Sequence, residues 1–481
     1  MIKSQPFEQF LKHDTSYPIT FDLANLVVHE RNLTRINFEK YVWAVDAIVL
    51  NLFTAYLEDA NKTVGISRDK NFWDGKDKFY GNPKLSFTAM VTSLDALKKH
   101  GYIDEVLKGK QAYLGWHGIT TRYKATEKLI KLFKEYTWNE QQVYVSPEFP
   151  SIRLRGKKPK RTVMHPFPKG KLIEFEDNDR IQLMRKVLDL INENLKDTDI
   201  NLYISKEEEK ELNRRMANDA KDEEELDSSV RYHKKYLYRV FNQDFEHGGR
   251  FYGGFWQQIP SEFRSRLTID GFHTFEMDYS SIHFAMLYHK EGYKKEDFKD
   301  PYTLYIEDEQ LRKVIKTTMN IMLNTSSFDE ALVVCRHHEM KLPKGTYKTW
   351  KALLEDIIEH HKPIKKYFFK QLGTELQKLD SDIAEYLITT MINKHGVLVL
   401  PIHDSFVCPI KDLEVLIDVM HEAAKKVAGL SLYLEPKVSK KNYKGFGGKT
   451  FKINESDYYQ RRKDFLKTIG LYYLNEPPNF V

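Results

Sequence analysis

Two short apolar segments, each containing an acidic residue, constrain this chain most strongly. The first, residues 276–282, reads EMDYSSI, and the second, residues 400–406, reads LPIHDSF. Burying a carboxylate within an apolar strand costs free energy unless the carboxylate meets a cation. If the fold brings Asp278 and Asp404 together on one sheet, they can hold a pair of Mg²⁺ ions, which suits in-line displacement at phosphorus.

The composition is ordinary for a globular protein. The chain has 481 residues, with 30% charged and 41% hydrophobic, which is enough for two or three domains. Its net charge of +6 permits a polyanionic partner. Two isolated cysteines, Cys335 and Cys408, argue against a zinc site or a disulfide framework. We see no signal pattern and no apolar run of about 18 residues, so we expect a cytoplasmic protein without a membrane partner.

Residues 1–145 show a pattern of helices followed by a basic hairpin. Helical periodicity covers 37–58 and 86–100, a hairpin follows from Tyr102 to Tyr123, and another helix starts at Thr126. This order resembles the winged-helix domains of plasmid replication initiators and bacterial regulators. The resemblance implies that helix 86–99 enters the DNA major groove and that three cations on or near the wing bind DNA, namely Lys110, Arg122 and Lys124. The alternative is a plain helical packing domain.

Two charged regions follow. Residues 146–175 are predicted to form a basic linker, because eight cations and no acid lie between Glu148 and Glu174. This linker could be a solvated tether or could neutralise phosphates, and the sequence favours neither. Residues 176–245 are densely charged and mostly helical in pattern, with an extended break near 200–204, and we predict a helical thumb-like region there.

Four motifs then occur in a particular order. Residues 246–252 read EHGGRFY, with WQQIP at 256–260. The Asp278 segment comes next, then a helix with polar residues spaced by four (Arg312, Lys316, Asn320 and Asn324), and finally the Asp404 turn. This order resembles the palm-and-fingers polymerases, namely the DNA polymerase I family and the single-subunit RNA polymerases of phages and mitochondria. The resemblance covers roughly a third of the chain.

The resemblance implies an α+β fold, with an antiparallel-sheet palm and helical fingers over residues 246–452 and a C-terminal tail at 453–481. It makes Asp278 and Asp404 the catalytic ligands of two Mg²⁺ ions, or Mn²⁺, aided by the backbone carbonyl of Tyr279. His403 would support the primer terminus. Three further residues would contact the nucleic acid: Arg250 at the template or primer backbone, and Gln377 and Asp380 in the region that contacts the duplex minor groove.

The spacing of the fingers helix supports a nucleotide site. Arg312, Lys316, Asn320 and Asn324 fall along one face, and two cations one turn apart suit the phosphates of a nucleoside triphosphate. An amphipathic surface helix is the alternative, but it would pair these cations with acids four residues on. Here the four-spaced partners are amides.

The chain departs from these families at several positions. Ser405 follows the His-Asp pair, as in the single-subunit RNA polymerases, where DNA polymerase I relatives have Glu. His283 replaces a sugar-discriminating Glu and is therefore a candidate nucleotide contact. Asn320 and Asn324 replace an aromatic ring and a Tyr-Gly pair. These changes favour tolerance of ribonucleotides. The chain also looks like a member of a group of phage- and mobile-element-encoded proteins with a similar GGRFYGG run.

We therefore expect a template-directed nucleotidyltransferase, a DNA or RNA polymerase or a primase-like enzyme. Its partners would be a DNA template and primer and nucleoside triphosphates. The setting would be replication of a phage, plasmid or integrated element in a bacterial or phage-infected cell. One alternative is a non-catalytic DNA-binding replication or regulatory protein. Another is a template-independent nucleotidyltransferase.

Overall fold

A computed structural model describes residues 4–30, 38–74, 78–110, 119–157, 159, 169–219, 230–294, 297, 300–305 and 308–437. The C-terminal tail, the end of the predicted polymerase region after 437, most of the predicted wing and much of the predicted linker lie outside this range. The fold is a mixture of helices and sheets, so the α+β prediction is confirmed at that level.

The described helices are, in chain order, α1 (Tyr17–Glu30), α2 (Phe38–Glu58), α3 (Lys70–Asp74), α4 (Phe87–Lys99), α5 (Glu127–Glu135), α6 (Asp179–Asp197), α7 (Lys206–Asp219), α8 (Ser261–Arg264), α9 (Ile282–Lys290), α10 (Glu309–Asn324), α11 (Phe328–His337), α12 (Trp350–His360), α13 (Gly373–His395) and α14 (Leu413–Ala428).

The described strands are β1 (Ser4–Pro6), β2 (Leu11–His13), β3 (Thr63–Ile66), β4 (Ile103–Leu107), β5 (Thr121–Ala125), β6 (Val143–Val145), β7 (Ile152–Arg155), β8 (Ile200–Leu202), β9 (Tyr238–Asn242), β10 (Asp244–Tyr252), β11 (Leu267–Ile269), β12 (Phe272–Tyr279), β13 (Leu400–Ile402), β14 (Ser405–Pro409) and β15 (Leu434–Pro436).

The first module is the described part of residues 4–145. It has its own hydrophobic core, whose buried residues run along the chain from Leu11 to Val143. Helices α2 and α4 cover the segments predicted to be helical, and the Ser86 side chain accepts a hydrogen bond from the N–H of Ala89 to cap α4. Strands β4 and β5 pair antiparallel and a helix follows, as the hairpin pattern predicted. The sheet order is β1-β3-β5-β4, with α3 and α4 between β3 and β4 along the chain.

Helix α2 is long and apolar enough to cross a membrane on length and composition alone, although the sequence showed no uninterrupted apolar run of that length. Core helices of soluble proteins pass the same test. In this fold, 72% of the apolar window is buried against the rest of the first module. Helix α2 is thus accounted for as a core helix.

The second module is the described part of residues 152–437. It surrounds a larger core, whose buried residues run along the chain from Ile152 to Leu432. Its main sheet has six strands, in the order β13-β14-β12-β11-β8, with β15 also paired to β12. All of these pairings are antiparallel. Long helices α13 and α14 pack against each other beside this sheet. The central strand β12 therefore carries Asp278 between two neighbouring strands.

A smaller sheet has the order β10-β9-β7. Its strand β7 falls within the segment predicted to be a basic linker, so that prediction is wrong for Ile152–Arg155. The physical reason is alternation: Ile152 and Leu154 are buried, while the intervening arginines point outwards and disguise the strand in the sequence. Likewise, the predicted thumb-like region, 176–245, has the strand β9 near its end and not a helix.

The glycine-rich run 248–254 allows two close approaches of the backbone. Gly249 has φ +82°, and a Cβ there would lie 2.7 Å from the Phe241 ring and 2.9 Å from the Ser381 hydroxyl of α13. Gly253 has φ +120°, and a Cβ there would lie 3.0 Å from the Tyr238 ring. Only glycine fits at both positions, which explains why β10 lies so close to α13 and to Tyr238.

Candidate active site

Paired strands bring the two predicted catalytic aspartates together. On β12, Asp278 lies directly opposite Ser405 of β14, and the N–H of Tyr279 donates to the Asp404 carbonyl at 3.2 Å. Asp404 and His403 form the two-residue turn between β13 and β14, as the sequence predicted. The two acids, 126 positions apart in sequence, thus occupy neighbouring positions on one sheet.

The Asp278 carboxylate is buried and only half satisfied. The residue is 5% exposed, its Oδ2 accepts from the Lys437 ammonium, and its Oδ1 has no hydrogen-bond partner among the described residues. Burial, followed by the negative charge of Asp404, raises the pKa of Asp278 to about 7, against the lowering effects of Lys437 and Lys316. An unpartnered buried carboxylate oxygen is costly, which marks it as a position for a cation.

The carboxylates of Asp278 and Asp404 are the donor set to compare with the needs of Mg²⁺. Among the described residues, no group of three or more His, Cys, Asp and Glu side chains is placed to hold a metal ion. Asp278 and Asp404 would therefore be the only carboxylate ligands within that range. Magnesium is commonly bound by one or two carboxylates, with waters and substrate phosphates completing its shell, so this donor set is compatible with the ion.

Two cations of helix α10, Arg312 and Lys316, lie beside the ring of Tyr302. The guanidinium carbon of Arg312 lies 5.4 Å and the Lys316 ammonium 5.5 Å from the centre of the Tyr302 ring. Burial, and further on the charge of Asp404, raise the pKa of Tyr302 to about 12. The Asp308 carboxylate caps α10 by accepting from the N–H of Leu311 at 2.6 Å.

The two cations differ in their partners. Arg312 donates through Nε and Nη2 to Asp300 at 2.6 and 3.2 Å, a fork that fixes its guanidinium. Lys316 forms no ion pair within the described part of the chain, and its positive charge lowers the pKa of Asp278. Lys316 is therefore the cation of α10 that is open to an incoming anion.

Arg250 and His283 meet at a second buried acid, Asp380 of α13. The Arg250 Nε lies 3.1 Å from Asp380 Oδ2, and His283 Nε2 lies 2.7 Å from the same oxygen. Among the described residues, Arg250 Nη1 alone of its guanidinium nitrogens has no partner. The predicted nucleic-acid contact of Arg250 and the predicted nucleotide contact of His283 would thus come from side chains already positioned by Asp380.

His403 occupies an unusual backbone conformation beside the acids. Its φ is +60°, in the left-handed region that a two-residue hairpin turn needs and that glycine usually supplies. Its ring lies 6.1 Å from the Tyr252 ring. Neighbouring protein atoms, followed by the charge of Arg250, lower the pKa of His403, which favours the neutral imidazole. A histidine held in this conformation next to Asp404 suits contact with a substrate group.

A buried network of hydrogen bonds lies next to the Asp404 turn. Arg264 forms a fork with Glu276 through Nε and Nη2, at 2.9 and 3.0 Å. Ser405 Oγ donates to the same carboxylate at 2.7 Å. Glu276 lies two residues before Asp278 on β12, so one strand carries both the supporting acid and the acid of the site.

The other predicted contacts lie further from this cluster. Asn324 ends α10, about 12 Å beyond Lys316 along the axis, where its Nδ2 donates to the Asn320 carbonyl at 2.8 Å and its side chain packs on Gly373. Gln377 is partly exposed on α13, one turn before Asp380. Lys110, Arg122 and Lys124 belong to the first module, where Arg122 Nη1 donates to Ser4 Oγ at 2.6 Å. Their roles in binding stay predictions.

Two residues of the site, Tyr302 and Lys437, were missed from the sequence, and Asp380 was given a different role. Tyr302 lies in a loop without periodicity, and no signal singled it out. Lys437 was one of several cations near the C-terminus, and nothing in its spacing pointed to Asp278. Asp380 was noted only beside Gln377, and its partner Arg250 lies 130 positions away, a separation that sequence spacing cannot bridge.

Comparisons with known proteins add little. No family of proteins and no curated protein matches the sequence. Among solved structures, the chain is similar to the POL domain of Pol1 from M. smegmatis in complex with DNA primer-template and dNTP, with 12% identity and a TM-score of 0.30. The match covers 42% of this chain and 47% of that chain, less than half of each. A likeness this low identifies neither a family nor an activity.

Proposed function

We propose that this protein is a template-directed nucleotidyltransferase, a DNA or RNA polymerase or a primase-like enzyme that uses two Mg²⁺ ions. The observation that carries the proposal is the pairing of β12 with the β13–β14 turn. It brings Asp278 and Asp404 together and leaves a buried Asp278 oxygen unpartnered among the described residues. The charge of Lys316 acts on Asp278, and we assign this cation to the phosphates of a nucleotide.

Each residue then has a distinct task. Asp278 and Asp404 hold the two ions, with the backbone carbonyl of Tyr279 as a further ligand. When bound, the ions activate the 3′-hydroxyl and neutralise the triphosphate. Lys316 and Arg312 bind the phosphates, and the Tyr302 ring lies beside both cations. The ring of His403 lies against the primer end.

The surrounding modules take supporting roles in this proposal. The six-stranded sheet acts as the palm, α10 to α12 act as reduced fingers, and the first module acts as a winged-helix-type DNA-binding domain with α4 facing the duplex. His283, bound by Asp380, leaves no carboxylate at the sugar-discriminating position, which supports tolerance of ribonucleotides. We place the enzyme in replication of a phage, plasmid or integrated element.

Primer extension tests the proposal. Purified protein is incubated with Mg²⁺, a labelled primer and either dNTPs or rNTPs, with and without a complementary template. We expect template-dependent extension that is lost in Asp278→Asn and kept in Glu359→Gln, an exposed acid on α12. Extension without a template would indicate a template-independent transferase. DNA binding without any incorporation, unchanged in Asp278→Asn, would indicate a non-catalytic protein and contradict the proposal.

A further inference from the structure

The small β10-β9-β7 sheet has one face packed inside the protein and one face open. Arg239 and Phe241 of β9 and Ile152 and Leu154 of β7 point inwards, and all four are buried. The alternate residues are partly exposed on the other face: Tyr252 on β10, Tyr238 on β9, and Arg153 and Arg155 on β7. The open face therefore combines tyrosine and arginine, and the strand register also places Val240, Asn242 and Arg250 on it.

Aromatic rings on this face form a continuous series that begins at the active site. Successive ring centres lie 6.1 Å apart from His403 to Tyr252, 6.2 Å from Tyr252 to Tyr238 and 5.6 Å from Tyr238 to Phe149. Phe149 in turn lies 5.4 Å from Phe10 of the first module. The series thus runs from the turn that carries Asp404 to the boundary between the two modules.

Arg153 and Arg155 of this face lack acidic partners among the described residues, whereas Arg250 is paired with Asp380. The Arg153 guanidinium lies 4.6 Å from the Phe149 ring centre and 4.4 Å from that of Tyr238, and its buried Nε has no hydrogen-bond partner in the described part of the chain. Arg155 donates through Nη1 to the carbonyl of Gly170 at 2.9 Å. Neither forms an ion pair with any described carboxylate. Both charges are thus available to an anion.

Helix α4, the predicted groove-reading element, differs in this respect. Its Lys98 pairs with Glu105 at 3.0 Å, and Lys99 pairs with Glu30. Each cation at the end of α4 is thus matched by an acid within the first module. Unmatched cations beside flat rings are the combination that binds single-stranded nucleic acid, because bases stack on rings and arginine neutralises phosphates.

We propose that the open face of the β10-β9-β7 sheet binds one nucleic-acid strand and leads it from the carboxylate pair towards the first module. The strand stacks bases on Tyr252 and Tyr238, and Arg153 and Arg155 contact its phosphates. Gly253 permits this platform, since a side chain there would collide with the Tyr238 ring. This inference rests on the proposed function, because it supplies the path of the template or product strand.

Oligonucleotide binding tests this inference independently of catalysis. Fluorescence anisotropy measures the affinity of the full chain for a labelled single-stranded oligothymidylate, without divalent metal or nucleotide, over a series of salt concentrations. In Arg153→Gln/Arg155→Gln, we expect weaker binding and a slope of log affinity against log salt shallower by about 1.4, for two lost phosphate contacts. In Tyr238→Leu we expect about tenfold weaker binding and an unchanged slope, for one lost stacking platform.

The matched control is Lys425→Gln/Lys426→Gln on α14, which removes two exposed charges outside this face and should leave both affinity and slope nearly unchanged. Thermal unfolding of every variant checks that the fold is intact. Photocrosslinking with 5-iododeoxyuridine in the oligonucleotide provides a second measurement, and we expect adducts on Tyr252 or Tyr238.

The outcomes separate this inference from the proposed function. Wild-type affinity in the sheet-face variants, or crosslinks confined to the first module, would overturn the strand path, even if primer extension succeeds. Reduced affinity in these variants together with adducts on the sheet face would support the path, even if no nucleotide is incorporated. An absence of single-strand binding by the wild-type chain would also overturn it.

Discussion

Two buried aspartates in this protein have opposite electrostatic surroundings. Asp380 is 3% exposed and Asp278 is 5% exposed, so burial alone would raise the pKa of both. For Asp380, hydrogen bonds from His283 and Arg250 outweigh burial and lower the pKa. For Asp278, burial and the charge of Asp404 prevail and raise the pKa to about 7. The protein thus satisfies one acid internally and leaves the other open to a cation.

The comparison predicts that, of the substitutions considered, Asp278→Asn has the largest effect on activity. Asp278→Asn removes a ligand of both proposed ions, and losing several kcal/mol of charge stabilisation should reduce template-directed incorporation by about 1,000-fold or more. The melting temperature should not fall, because a neutral amide replaces a buried carboxylate with an unpartnered oxygen. Steady-state incorporation and thermal unfolding measure the two effects. A large loss of stability would make Asp278 a structural acid like Asp380.

The satisfied acid should respond in the opposite way. Asp380→Asn leaves the partly buried Arg250 guanidinium without its carboxylate, and breaking an ion pair with a buried acid should lower the free energy of unfolding by about 3 kcal/mol. Urea denaturation measures this change. Glu375→Gln, an exposed acid on the same helix, is the control and should change stability by less than about 0.5 kcal/mol. Equal stability of the two variants would remove the distinction between the acids.

The raised pKa of Asp278 predicts a pH dependence of metal binding. The ion must displace a proton from this carboxyl below its pKa of about 7, so apparent Mg²⁺ affinity should rise about tenfold per pH unit up to that value and then level off. Calorimetric titration measures the affinity. In Asp404→Asn, which removes a charge that raises this pKa, the levelling point should move to lower pH. A profile that is flat across this range would contradict the assignment.

The same shift has a stability consequence with a defined sign. The folded state holds a proton on Asp278 that the unfolded chain releases near pH 4. The contribution of this carboxyl to the free energy of unfolding is therefore present below about pH 4 and lost as the pH rises towards 7. Asp380, whose pKa is lowered, contributes in the opposite sense and loses its contribution as the pH falls.

The smallest effect concerns Lys437. Its ammonium contacts Asp278 Oδ2 and must yield when an ion binds there. The side chain is 37% exposed, so we expect the pair to contribute about 1 kcal/mol and Lys437→Met to bind Mg²⁺ about fivefold more tightly well above pH 7. The control is Lys411→Met, which removes a cation from the short segment that connects β14 to α14. Unchanged affinity in Lys437→Met would show that this lysine does not compete with the ion.

The sequence predicted those features that depend on local pattern. The apolar runs around Asp278 and Asp404 indicated strands, and the spacing of Arg312 and Lys316 indicated a helix; both are observed. The hairpin with Asp404 at its turn was also predicted, because a carboxylate between two apolar runs belongs at a strand end. That Asp278 and Asp404 bind metal ions together and act in catalysis stays a prediction.

Features that depend on distant pairing could not be predicted. The Arg250–Asp380 pair joins β10 to α13 across 130 positions, and neither residue reveals the other locally. Strand β7 was hidden because its outward positions are arginines, which made a strand resemble a charged tether. Tyr302 lies in a loop, and only the tertiary fold places its ring beside Arg312 and Lys316 of α10. In each case the tertiary fold determines the role of the residue.

The most direct test of the account is a crystal structure with Mn²⁺ and a non-hydrolysable nucleoside triphosphate, examined by anomalous diffraction. The account predicts two manganese peaks about 4 Å apart, bound by Asp278 and Asp404, with the Lys437 ammonium displaced from Asp278. Peaks at other residues, or no peak while Lys437 still contacts Asp278, would contradict the claim that these two aspartates form a metal-dependent active site.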